Sequence, residues 1–445
     1  MKAGDVLRYY QYGTQTTNQA GHLSIGGVDT LELAHEYGTP LVVYDVALIK
    51  QRIAEFKQVF EAAGVAYKVT YASKAFTAIA MYQLLAEQGV GCDVVSGGEI
   101  YTAQQAGFPL ATASFHGNNK SAAELEYAVT AGVGTIVLDN FHEIDLLNDI
   151  LTTQDKTIDV LLRISPGISA HTHEYIMTGQ EDSKFGFDLK SGQATTAFEK
   201  VQALPRLNLR GVHCHIGSQI FETKGFEMAA EAMIALLAQW QQQGFTAQVL
   251  NLGGGFGVRY TAEDQPLAPQ DYVRDIVKVV KDQAAAAQLP LPEIWIEPGR
   301  SMVAEAGTSL YTIGSRKDLP GIRHYLAVDG GMGDNIRPAL YEAKYTAVLA
   351  NAPEAEPAET VSIAGKYCES GDMLVWDLPL PQSKPGDVLA MFVTGAYGYS
   401  MASNYNRNPR PAVVFVENGQ ARLVIKRETY ADMAHLDVNE SPSHL

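Results

Sequence analysis

Cysteine is scarce in this chain. Its 445 residues include only Cys92, Cys214 and Cys368, an odd number without the spacing of metal ligands, so we expect neither a disulfide framework nor a zinc site. Apolar runs of about 18 residues, the length that a membrane-spanning helix needs, are also missing. The first residues, MKAGDVLRYY, lack the apolar segment of a secretory signal peptide. These absences predict a protein of the cytoplasm with no membrane partner.

Positive charge is in deficit as well. Asp and Glu number 50 against 33 Lys and Arg, which leaves a formal net charge of −17. Nucleic-acid phosphates select a basic surface, so we expect no nucleic-acid partner. Hydrophobic residues make up 46% of the sequence and charged residues 19%, proportions that are typical of a globular enzyme or binding protein.

Short apolar runs alternate with longer amphipathic ones between residues 38 and 308. Eight of the short runs are predicted strands, at 66–74, 91–97, 112–118, 134–140, 159–167, 209–218, 248–257 and 293–302. Between them lie helical patterns such as TAIAMYQLLAEQ and EMAAEAMIALLAQWQQQG. This rhythm predicts an α/β fold, the (β/α)8 barrel, which takes roughly 250 residues. A doubly wound open sheet is the alternative.

The remainder of the chain has a different pattern. Residues 309–435 contain short alternating runs, such as HYLAVD and DVLAMFVTGAY, broken by Gly, Pro and Asn. This pattern predicts an antiparallel β domain. Residues 1–37 are more similar to that domain than to the barrel and are expected to join it, and residues 436–445 are expected to form a flexible tail.

Polar residues gather at the carboxyl ends of the predicted barrel strands, where barrel enzymes perform their chemistry. They are Lys74, Asp93, His116, Asp139, Arg163, His213, His215, Glu297 and Arg300. One such residue alone is more often structural. Their recurrence at strand after strand indicates an active site at the mouth of the barrel.

Two glycine-containing segments at this end favour a phosphate. NLGGGFG places Gly253, Gly254 and Gly255 directly after the seventh strand, where flexible glycine backbone lets N–H groups converge on an anion. EPGR, residues 297–300, follows the eighth strand. Barrels most often hold phosphate at the loops after strands seven and eight, although three glycines alone are more often a flexible turn.

Lys74, in the segment TYASKAF, ends the first barrel strand. A lysine there is costly to desolvate unless it reaches the rim or forms a Schiff base. A Schiff-base lysine that faces a phosphate site indicates pyridoxal 5′-phosphate (PLP), which needs both. Glu297 would then keep the pyridine nitrogen protonated, His215 would lie against the ring, and Ser218 would donate to the phosphate.

Seven motifs in one order match a known family. They are YASKA, GVHCHIGSQ, NLGGGFG, EPGRSMVAEAG, DGGMGDNIRPALY, YCESGD and GAYGYSMASNYN. The chain resembles the fold-type III PLP-dependent amino-acid decarboxylases over nearly its whole length, and most of all their branch that acts on diaminopimelate. The resemblance implies a β-sandwich or β-barrel as the second domain and a homodimer with shared active sites. The cofactor contacts that it implies are Lys74, Asp93, His215, Ser218, Gly253, Gly254, Gly255, Glu297, Pro298, Gly299, Arg300 and Tyr397.

Cys368, in YCESGD, is the proton donor that the resemblance implies, delivered by the other subunit. A thiol with a pKa near roughly 8.5 keeps its proton at neutral pH yet releases it readily, and neighbouring carboxylates disfavour the thiolate. The alternative for a cysteine is a small buried hydrophobe, which we prefer for Cys92 and Cys214 because both lie inside strand patterns. Lys74, His215 and Cys368 are thus the predicted catalytic residues.

The predicted substrate contacts are Arg300, Arg337, Tyr341, Glu369 and Tyr397. Guanidinium groups match a carboxylate and Glu369 matches an ammonium, so the far end of the substrate should carry both charges. The amino acid meso-2,6-diaminopimelate has such an end. The predicted reaction removes CO2 from its D-configured centre and yields L-lysine, the last step of lysine biosynthesis. Arg337 could instead form a salt bridge at a domain interface.

Other functions compete with this one. A decarboxylase of the ornithine or arginine type needs carboxylates alone in its distal pocket, and one for a carrier-linked amino acid would reuse the scaffold with an altered clamp. An alanine racemase would need an arginine in place of Glu297. A non-catalytic PLP carrier or regulator would be expected to lack the second domain, Lys74 or Cys368.

Two regions of the sequence stand apart from these assignments. The segment DGGMGDNIRP carries Gly333 and Asn335 where other residues are common in the family, and neither touches a predicted catalytic role. Residues 172–188 follow the fifth strand and are predicted to form a lid or positioning loop. Lys184, within this loop, has no assigned role.

Overall fold

The structure, a computed structural model, describes residues 12–168 and 183–438. These residues form two units. The barrel unit comprises Lys50–Val258 and Gln265–Met302, and the β unit comprises the described residues up to Ile49, Arg259–Asp264 and those from Val303 onward. No helix within the described ranges combines the length and the apolar composition that crossing a bilayer requires.

The β unit begins with three short strands and a helix. Strands β1 (Thr16–Thr17), β2 (Leu23–Ile25) and β3 (Val28–Asp29) form an antiparallel sheet in that order. Helix α1 (Thr30–Tyr37) follows, and the Asp29 side chain caps it by accepting a hydrogen bond from Leu31 N. Strand β4 (Leu41–Asp45) comes next and is buried along its whole length.

Eight parallel strands close the barrel. In chain order, the strands of this unit are β5 (Tyr67–Ala72), β6 (Gly91–Val94), β7 (Ala113–Phe115), β8 (Thr135–Leu138), β9 (Ile158–Ser165), β10 (Phe187–Asp188), β11 (Leu207–His213), β12 (Val249–Asn251) and β13 (Glu293–Ile296). The ring runs β9-β11-β12-β13-β5-β6-β7-β8 and closes where β8 pairs with β9, while the short β10 lies outside it, beside β9. This closure confirms the predicted (β/α)8 barrel and excludes the open sheet.

Helices alternate with these strands. They are α2 (Val46–Ala63), α3 (Ile79–Glu87), α4 (Gly97–Gln105), α5 (Ala122–Ala131), α6 (Phe141–Gln154), α7 (Gln193–Gln202), α8 (Lys224–Gln242), α9 (Pro269–Ala286) and the short α10 (Arg300–Val303). Ser96, Ser121 and Asn140 begin α4, α5 and α6, because each side chain accepts from a backbone N–H of the first turn. In α9, the buried residues recur at helical spacing: Tyr272, Val273, Ile276, Val277, Val280 and Ala284.

An apolar layer inside the barrel determines where the polar layer lies. Val137, Leu161, Val249 and Trp295 form a buried cluster from β8, β9, β12 and β13. Side chains of a strand alternate between its two faces, so the residue two positions on points to the same interior, one layer nearer the carboxyl end. Those residues are Asp139, Arg163, Asn251 and Glu297.

The rest of the β unit is a second sheet that includes β4. Its other strands are β14 (Gly307–Leu319), β15 (Arg323–Val328), β16 (Ala347–Leu349), β17 (Glu359–Ala364), β18 (Met373–Leu380), β19 (Val388–Phe392), β20 (Ala412–Glu417) and β21 (Gln420–Ile425). The order is β18-β17-β15-β14-β4-β20-β21, and β19 pairs with β14 and β16. Most pairs are antiparallel, as predicted, but β15 with β17 and β4 with β20 are parallel. Two short helices, α11 (Arg337–Tyr341) and α12 (Tyr430–Ala434), complete this unit.

The boundaries between the units differ from the predicted ones at residues 38 and 308. Strand β4 belongs to the β unit because it pairs antiparallel with the start of β14, where Tyr44 faces Gly307. Its sequence, LVVYD, is buried on both faces, as a barrel strand is, so its apolar pattern could not separate the two.

Parts of two predictions lie outside the described residues. Of the predicted tail, residues 439–445 are not described, and of the predicted loop at 172–188 only residues 183–188 are described. Within that remainder, the Lys184 amine lies 5.0 Å from the centre of the Phe185 ring. The role of the loop stays a prediction.

Candidate active site

Glu297 is the centre of a buried polar network at the carboxyl end of the barrel. It directly follows β13. Asn251, the last residue of β12, donates from Nδ2 to Glu297 Oε1 at 2.5 Å, and His213, the last residue of β11, has its Nε2 3.0 Å from Oε2. Because β11, β12 and β13 are neighbours in the ring, their ends bring these three side chains to one place.

A second histidine approaches the same carboxylate. His116 Nε2 is 3.3 Å from Glu297 Oε1 and 3.5 Å from Asp93 Oδ1, and its ring meets that of His213 edge-on with centroids 5.0 Å apart. These are ion-pair distances without hydrogen-bond alignment, since His116 Nε2 and Asp93 Oδ1 have no hydrogen-bond partner among the described residues. The network around Glu297 therefore includes two carboxyl groups, of Glu297 and Asp93, and two imidazoles, of His116 and His213.

Burial and mutual charge shift the pKa of every titratable member of this network. Burial alone would raise the pKa of Glu297, but His213 and His116 hold it well below its usual range, so the carboxylate is ionised. Burial and then the charge of Glu297 raise the pKa of Asp93 to about 7. Burial alone would lower the pKa of His116, but the charges of Glu297 and Asp93 raise it to about 9. For His213, burial is the largest cause and lowers the pKa to about 4. At neutral pH, His116 is thus the cation beside Glu297 and His213 is a neutral donor.

The two histidines and Glu297 also bring three potential metal ligands within 4.8 Å of one another. The sequence predicts no metal site. His213 Nε2 already faces Glu297 Oε2 in a hydrogen bond, so we assign the three side chains to the polar network rather than to an ion.

Three glycines follow β12 and turn the backbone around the network. Gly253 N donates to Asn251 Oδ1 at 2.9 Å, and Gly254 N donates to His215 Nδ1 at 3.3 Å. Gly253 has a φ of 70°, in the region that glycine enters at no steric cost. A Cβ on Gly254 would lie 2.1 Å from Glu297 O. A side chain at this position therefore cannot fit unless the backbone of the EPGR segment moves.

The EPGR segment lies against the end of β5. Pro298 O accepts from Ala72 N at 3.2 Å, and a Cβ on Gly299 would lie 2.9 Å from Ala72 Cβ. Arg300 donates from Nη2 to Ser218 Oγ at 3.0 Å. Two residues that the sequence predicts to contact the ligand thus lie side by side at the barrel mouth.

Lys74 lies in a single 3-10 turn that follows β5. Its side chain is exposed, and its amine makes no hydrogen bond or ion pair with any described residue. Burial first, and then the positive charge of Lys74, lower the pKa of His215 to about 3. The Lys74 amine is thus accessible and lies near a neutral imidazole.

All three cysteines are free thiols. Cys92 and Cys214 are buried in the barrel unit, and burial raises the pKa of Cys214 to about 12. Cys368, in the β unit, is exposed. The prediction that Cys92 and Cys214 are packing residues is confirmed, and Cys368 is the thiol that a reactant can reach.

The loop that carries Cys368 is held through its backbone. Cys368 N donates to Asn406 Oδ1 at 2.8 Å. Asp372 accepts from Tyr367 N at 2.8 Å and from Met332 N at 2.6 Å. These contacts fix the position of the Cys368 backbone and leave the thiol available.

Arg337 is buried in the β unit at the start of α11. Its guanidinium carbon lies 4.5 Å from the centre of the Tyr260 ring and 5.5 Å from that of Tyr345, and Nη1 donates to the Tyr345 hydroxyl. No carboxylate of the described ranges lies within ion-pair distance of this side chain, and the groups that act on its pKa are the two tyrosines. The alternative of an interface salt bridge at Arg337 therefore has no support here.

Tyr341, Glu369 and Tyr397 complete the predicted set in the β unit. Tyr341 ends α11 and is 58% exposed. Glu369 is exposed as well, and its Oε1 accepts from Gly371 N at 3.1 Å. Tyr397 has a φ of 60°, a left-handed conformation that is uncommon for a residue with a side chain and that collects at functional positions.

Three members of the network have no assigned role in the sequence analysis. His116 and His213 appear in it only as polar residues at strand ends, and Asn251 is not named in it. Asn251 ends the seventh strand two residues before the three glycines, and this position is the signal that could have found it. The two tyrosines around Arg337 lie far from it or outside its motif, so no local pattern connects them to it.

Fold and site together define a class of protein. A closed parallel barrel carries an unengaged lysine, a glycine turn and an ionised carboxylate at the carboxyl ends of its strands. Residues 46–304 match the sequence model of the pyridoxal-dependent decarboxylases, pyridoxal binding domain. The chain belongs to this family.

Within the family, the chain is similar to diaminopimelate decarboxylases. It is 61% identical over 428 residues to that of Halalkalibacterium halodurans, which covers 96% of this chain and 98% of that protein. It is 60% identical over 430 residues to that of Bacillus subtilis, with 96% and 98% covered. Among solved structures, the diaminopimelate decarboxylase of M. jannaschii in complex with L-lysine has a TM-score of 0.90 at 35% identity and covers 100% of both chains.

The residues present fit pyridoxal phosphate. Glu297 is ionised and buried, as a partner for a protonated pyridine nitrogen must be. The backbone at Gly254 packs against Glu297 O with no room for a side chain, which holds the glycine turn close to the EPGR segment. Lys74 offers an amine without a competing partner. The donor set suits an aromatic ring with a ring nitrogen, a carbonyl and a phosphate.

Proposed function

We propose that this chain decarboxylates meso-2,6-diaminopimelate at its D-configured centre and releases L-lysine and CO2, with pyridoxal 5′-phosphate as cofactor. The observation that carries the proposal is the ionised Glu297 with Asn251, His213 and His116 around it. The cofactor, when bound, acts as an electron sink for the bond that breaks at Cα. A fixed negative charge at its ring nitrogen keeps that nitrogen protonated and the sink strong.

Different residues would contact the carbonyl, the ring and the phosphate of the cofactor. Lys74 would supply the amine for its carbonyl, and His215, neutral because its pKa is lowered to about 3, would contact the ring. Backbone N–H groups and side chains at the carboxyl ends of the strands would receive the phosphate. The residues that we assign to cofactor contacts as a whole, to the ring or to the phosphate, are Asp93, Ser218, Gly253, Gly254, Gly255, Pro298, Gly299, Arg300 and Tyr397.

Arg337 supports a substrate with a second carboxylate. Its buried guanidinium packs against two tyrosine rings and has no carboxylate partner among the described residues. A buried cation without an anion is costly, and a carboxylate of the substrate would match it in bidentate geometry. We assign Arg300, Arg337 and Tyr341 to that carboxylate, Glu369 to the distal ammonium, and Tyr397 to the substrate as well as the cofactor.

The proton that replaces CO2 at Cα comes from Cys368 in this proposal. Its thiol is exposed while its backbone is held by Asn406. We propose that the chain is a homodimer in which Cys368 serves the barrel of the other subunit, and that the protein acts in the cytoplasm. The free thiols support that compartment.

A substrate panel tests the proposed function. Purified protein with added PLP is given meso-diaminopimelate, LL-diaminopimelate, ornithine, arginine and lysine, and released CO2 and products are measured. We expect CO2 and lysine from meso-diaminopimelate and no CO2 from the four others. Lys74→Ala is the control and should release no CO2 from any of the five. Preferred release from ornithine, arginine or lysine would contradict the second-carboxylate assignment while leaving the family unchanged.

A further inference from the structure

Asn251 uses both ends of its side chain inside the barrel. It is fully buried. Its Nδ2 donates to Glu297 Oε1 at 2.5 Å, and its Oδ1 accepts from Gly253 N at 2.9 Å. One amide group thus joins the carboxylate assigned to the ring nitrogen with the first glycine of the segment assigned to the phosphate.

The orientation of this amide follows from its partners. Gly253 N–H can only donate, so the oxygen of Asn251 must face it. The amide NH2 then faces Glu297, which must present an unprotonated oxygen to receive it. The opposite orientation would set two donors against each other and would leave the carboxylate without this partner.

Asn251 differs from the other groups around Glu297 in being unable to gain or lose a proton. His213 and His116 are 3.0 and 3.3 Å from the carboxylate oxygens. Asp93 lies on the other side of His116. The charge of Glu297 also acts on the pKa of Lys68, on β5, and on that of Arg163, on β9. All of these groups titrate, whereas an amide donates at every pH. A neutral donor therefore favours the ionised form of Glu297 independently of the state of its neighbours.

We propose that Asn251 is a positioning residue that holds Glu297 ionised and in register with the glycine segment, so that the ring nitrogen and the phosphate of the cofactor are received at a fixed separation. This inference rests on the proposed function. A residue that only fills space would tolerate an isosteric change without any new dependence on pH. If Asn251 supplies a neutral donor, an isosteric change to a titratable group should make PLP binding depend on pH in a new way.

Asn251→Asp and Asn251→Leu separate these roles. The Asp variant keeps the shape and the acceptor for Gly253 N, but it sets a carboxyl group against Glu297 Oε1. Two carboxylates at that distance must share a proton, and the shared proton is lost as pH rises. The Leu variant keeps a similar volume and loses both hydrogen bonds at every pH.

The readout is the affinity of each variant for PLP, measured by absorbance or fluorescence titration of PLP-free protein across a pH series. For Asn251→Asp, we expect an affinity close to that of the parent at the acidic end and at least roughly tenfold weaker at the alkaline end, the loss of one hydrogen bond to a charged group. For Asn251→Leu, we expect a weakening of at least roughly tenfold that changes little with pH relative to the parent.

Asn208→Asp is the matched control. Asn208 Nδ2 also donates to a carboxylate at 2.5 Å, that of Asp159, but this pair is exposed and lies at the amino-terminal starts of β11 and β9. Its affinity for PLP should follow the parent at every pH. Thermal unfolding of each variant shows whether the fold is retained, and if the Leu variant does not fold, the pH series of the Asp variant decides.

The outcomes distinguish this inference from the proposed function. Parent-like PLP affinity of Asn251→Asp over the whole pH series, or a loss that does not depend on pH, would overturn the role of Asn251 as a neutral donor. A parent protein that bound no PLP would instead overturn the proposed function. A pH-dependent loss in Asn251→Asp alone, with the control unchanged, supports the inference.

Discussion

Cys368 differs from the other two thiols in its surroundings. Cys92 and Cys214 lie inside the barrel unit, where burial raises the pKa of each thiol. Such thiols are unreactive and serve as small apolar side chains. Cys368 is exposed, and its backbone is anchored by Asn406. Exposure with a fixed backbone is what a proton donor needs, because it must reach the substrate in a reproducible position.

The residue-scale prediction concerns this thiol. Cys368→Ala should lower the kcat for lysine formation by at least about 100-fold, the range that general acid catalysis contributes, and leave the affinity for PLP unchanged. Cys92→Ala is the control, since it removes a buried thiol and should lower the thermal midpoint without changing kcat by a comparable factor. Near-normal turnover of the Cys368 variant would remove the thiol from the mechanism.

At the scale of elements, the loop after β12 packs against the loop after β13. Glu297 N donates to Gly253 O at 2.8 Å, and Gly255 O accepts from Ile220 N at 2.9 Å. The glycine segment is therefore a fixed part of the barrel mouth. Glycine backbone of this kind can lie close to a ligand with no side chain in between.

The element-scale prediction follows from the space at Gly254. A Cβ there would lie 2.1 Å from Glu297 O, whereas a Cβ on Gly98, in the first turn of α4, would have Ser96 Oγ as its nearest neighbour at 3.7 Å. Gly254→Ala should weaken PLP binding by at least roughly tenfold, because the two loops must separate. Gly98→Ala should bind PLP as the parent does and be slightly more stable. Equal PLP affinities of the two variants would show that PLP binding does not depend on the close packing of Gly254 against Glu297 O.

At the scale of the whole molecule, the proposed dimer would combine barrel residues of one subunit with Cys368 of the other. The barrel unit holds the residues that we assign to the cofactor except Tyr397, and the β unit holds Tyr397, Cys368, Arg337 and Tyr341. If Cys368 serves the barrel of its partner, a subunit without Lys74 and a subunit without Cys368 can complete one intact site between them. Neither variant alone can do so.

Two measurements check this arrangement. The mass in solution should be twice the 48.2 kDa of the chain. Lys74→Ala and Cys368→Ala, inactive alone, should regain about a quarter of the parent activity after subunit exchange, since half of the dimers are mixed and each has one intact site of two. A monomeric mass, or a mixture that stays inactive after exchange is verified, would contradict the shared site.

Much of the fold could be predicted from the sequence because local residue patterns determine it. Apolar runs mark every barrel strand, and Lys74, Glu297 and the three glycines stand at strand ends where topology alone makes them candidates. The boundary at β4 could not be predicted, because its buried run looks the same in either unit and only its pairing with β14 assigns it. Asn251 was missed for a similar reason: a single polar residue at a strand end is uninformative until its neighbours are known.

By itself, the sequence determined the barrel rhythm, the second β domain and the lysine and glycine motifs, and it predicted that Cys92 and Cys214 are buried. These are properties of short segments, in which periodicity and turn chemistry act within a few residues. The tertiary structure alone decided which polar side chains meet Glu297 and that Arg337 is buried between tyrosines. Such facts depend on contacts between residues far apart in the chain, because charge and burial act through space and only the closed barrel brings those residues within hydrogen-bond distance.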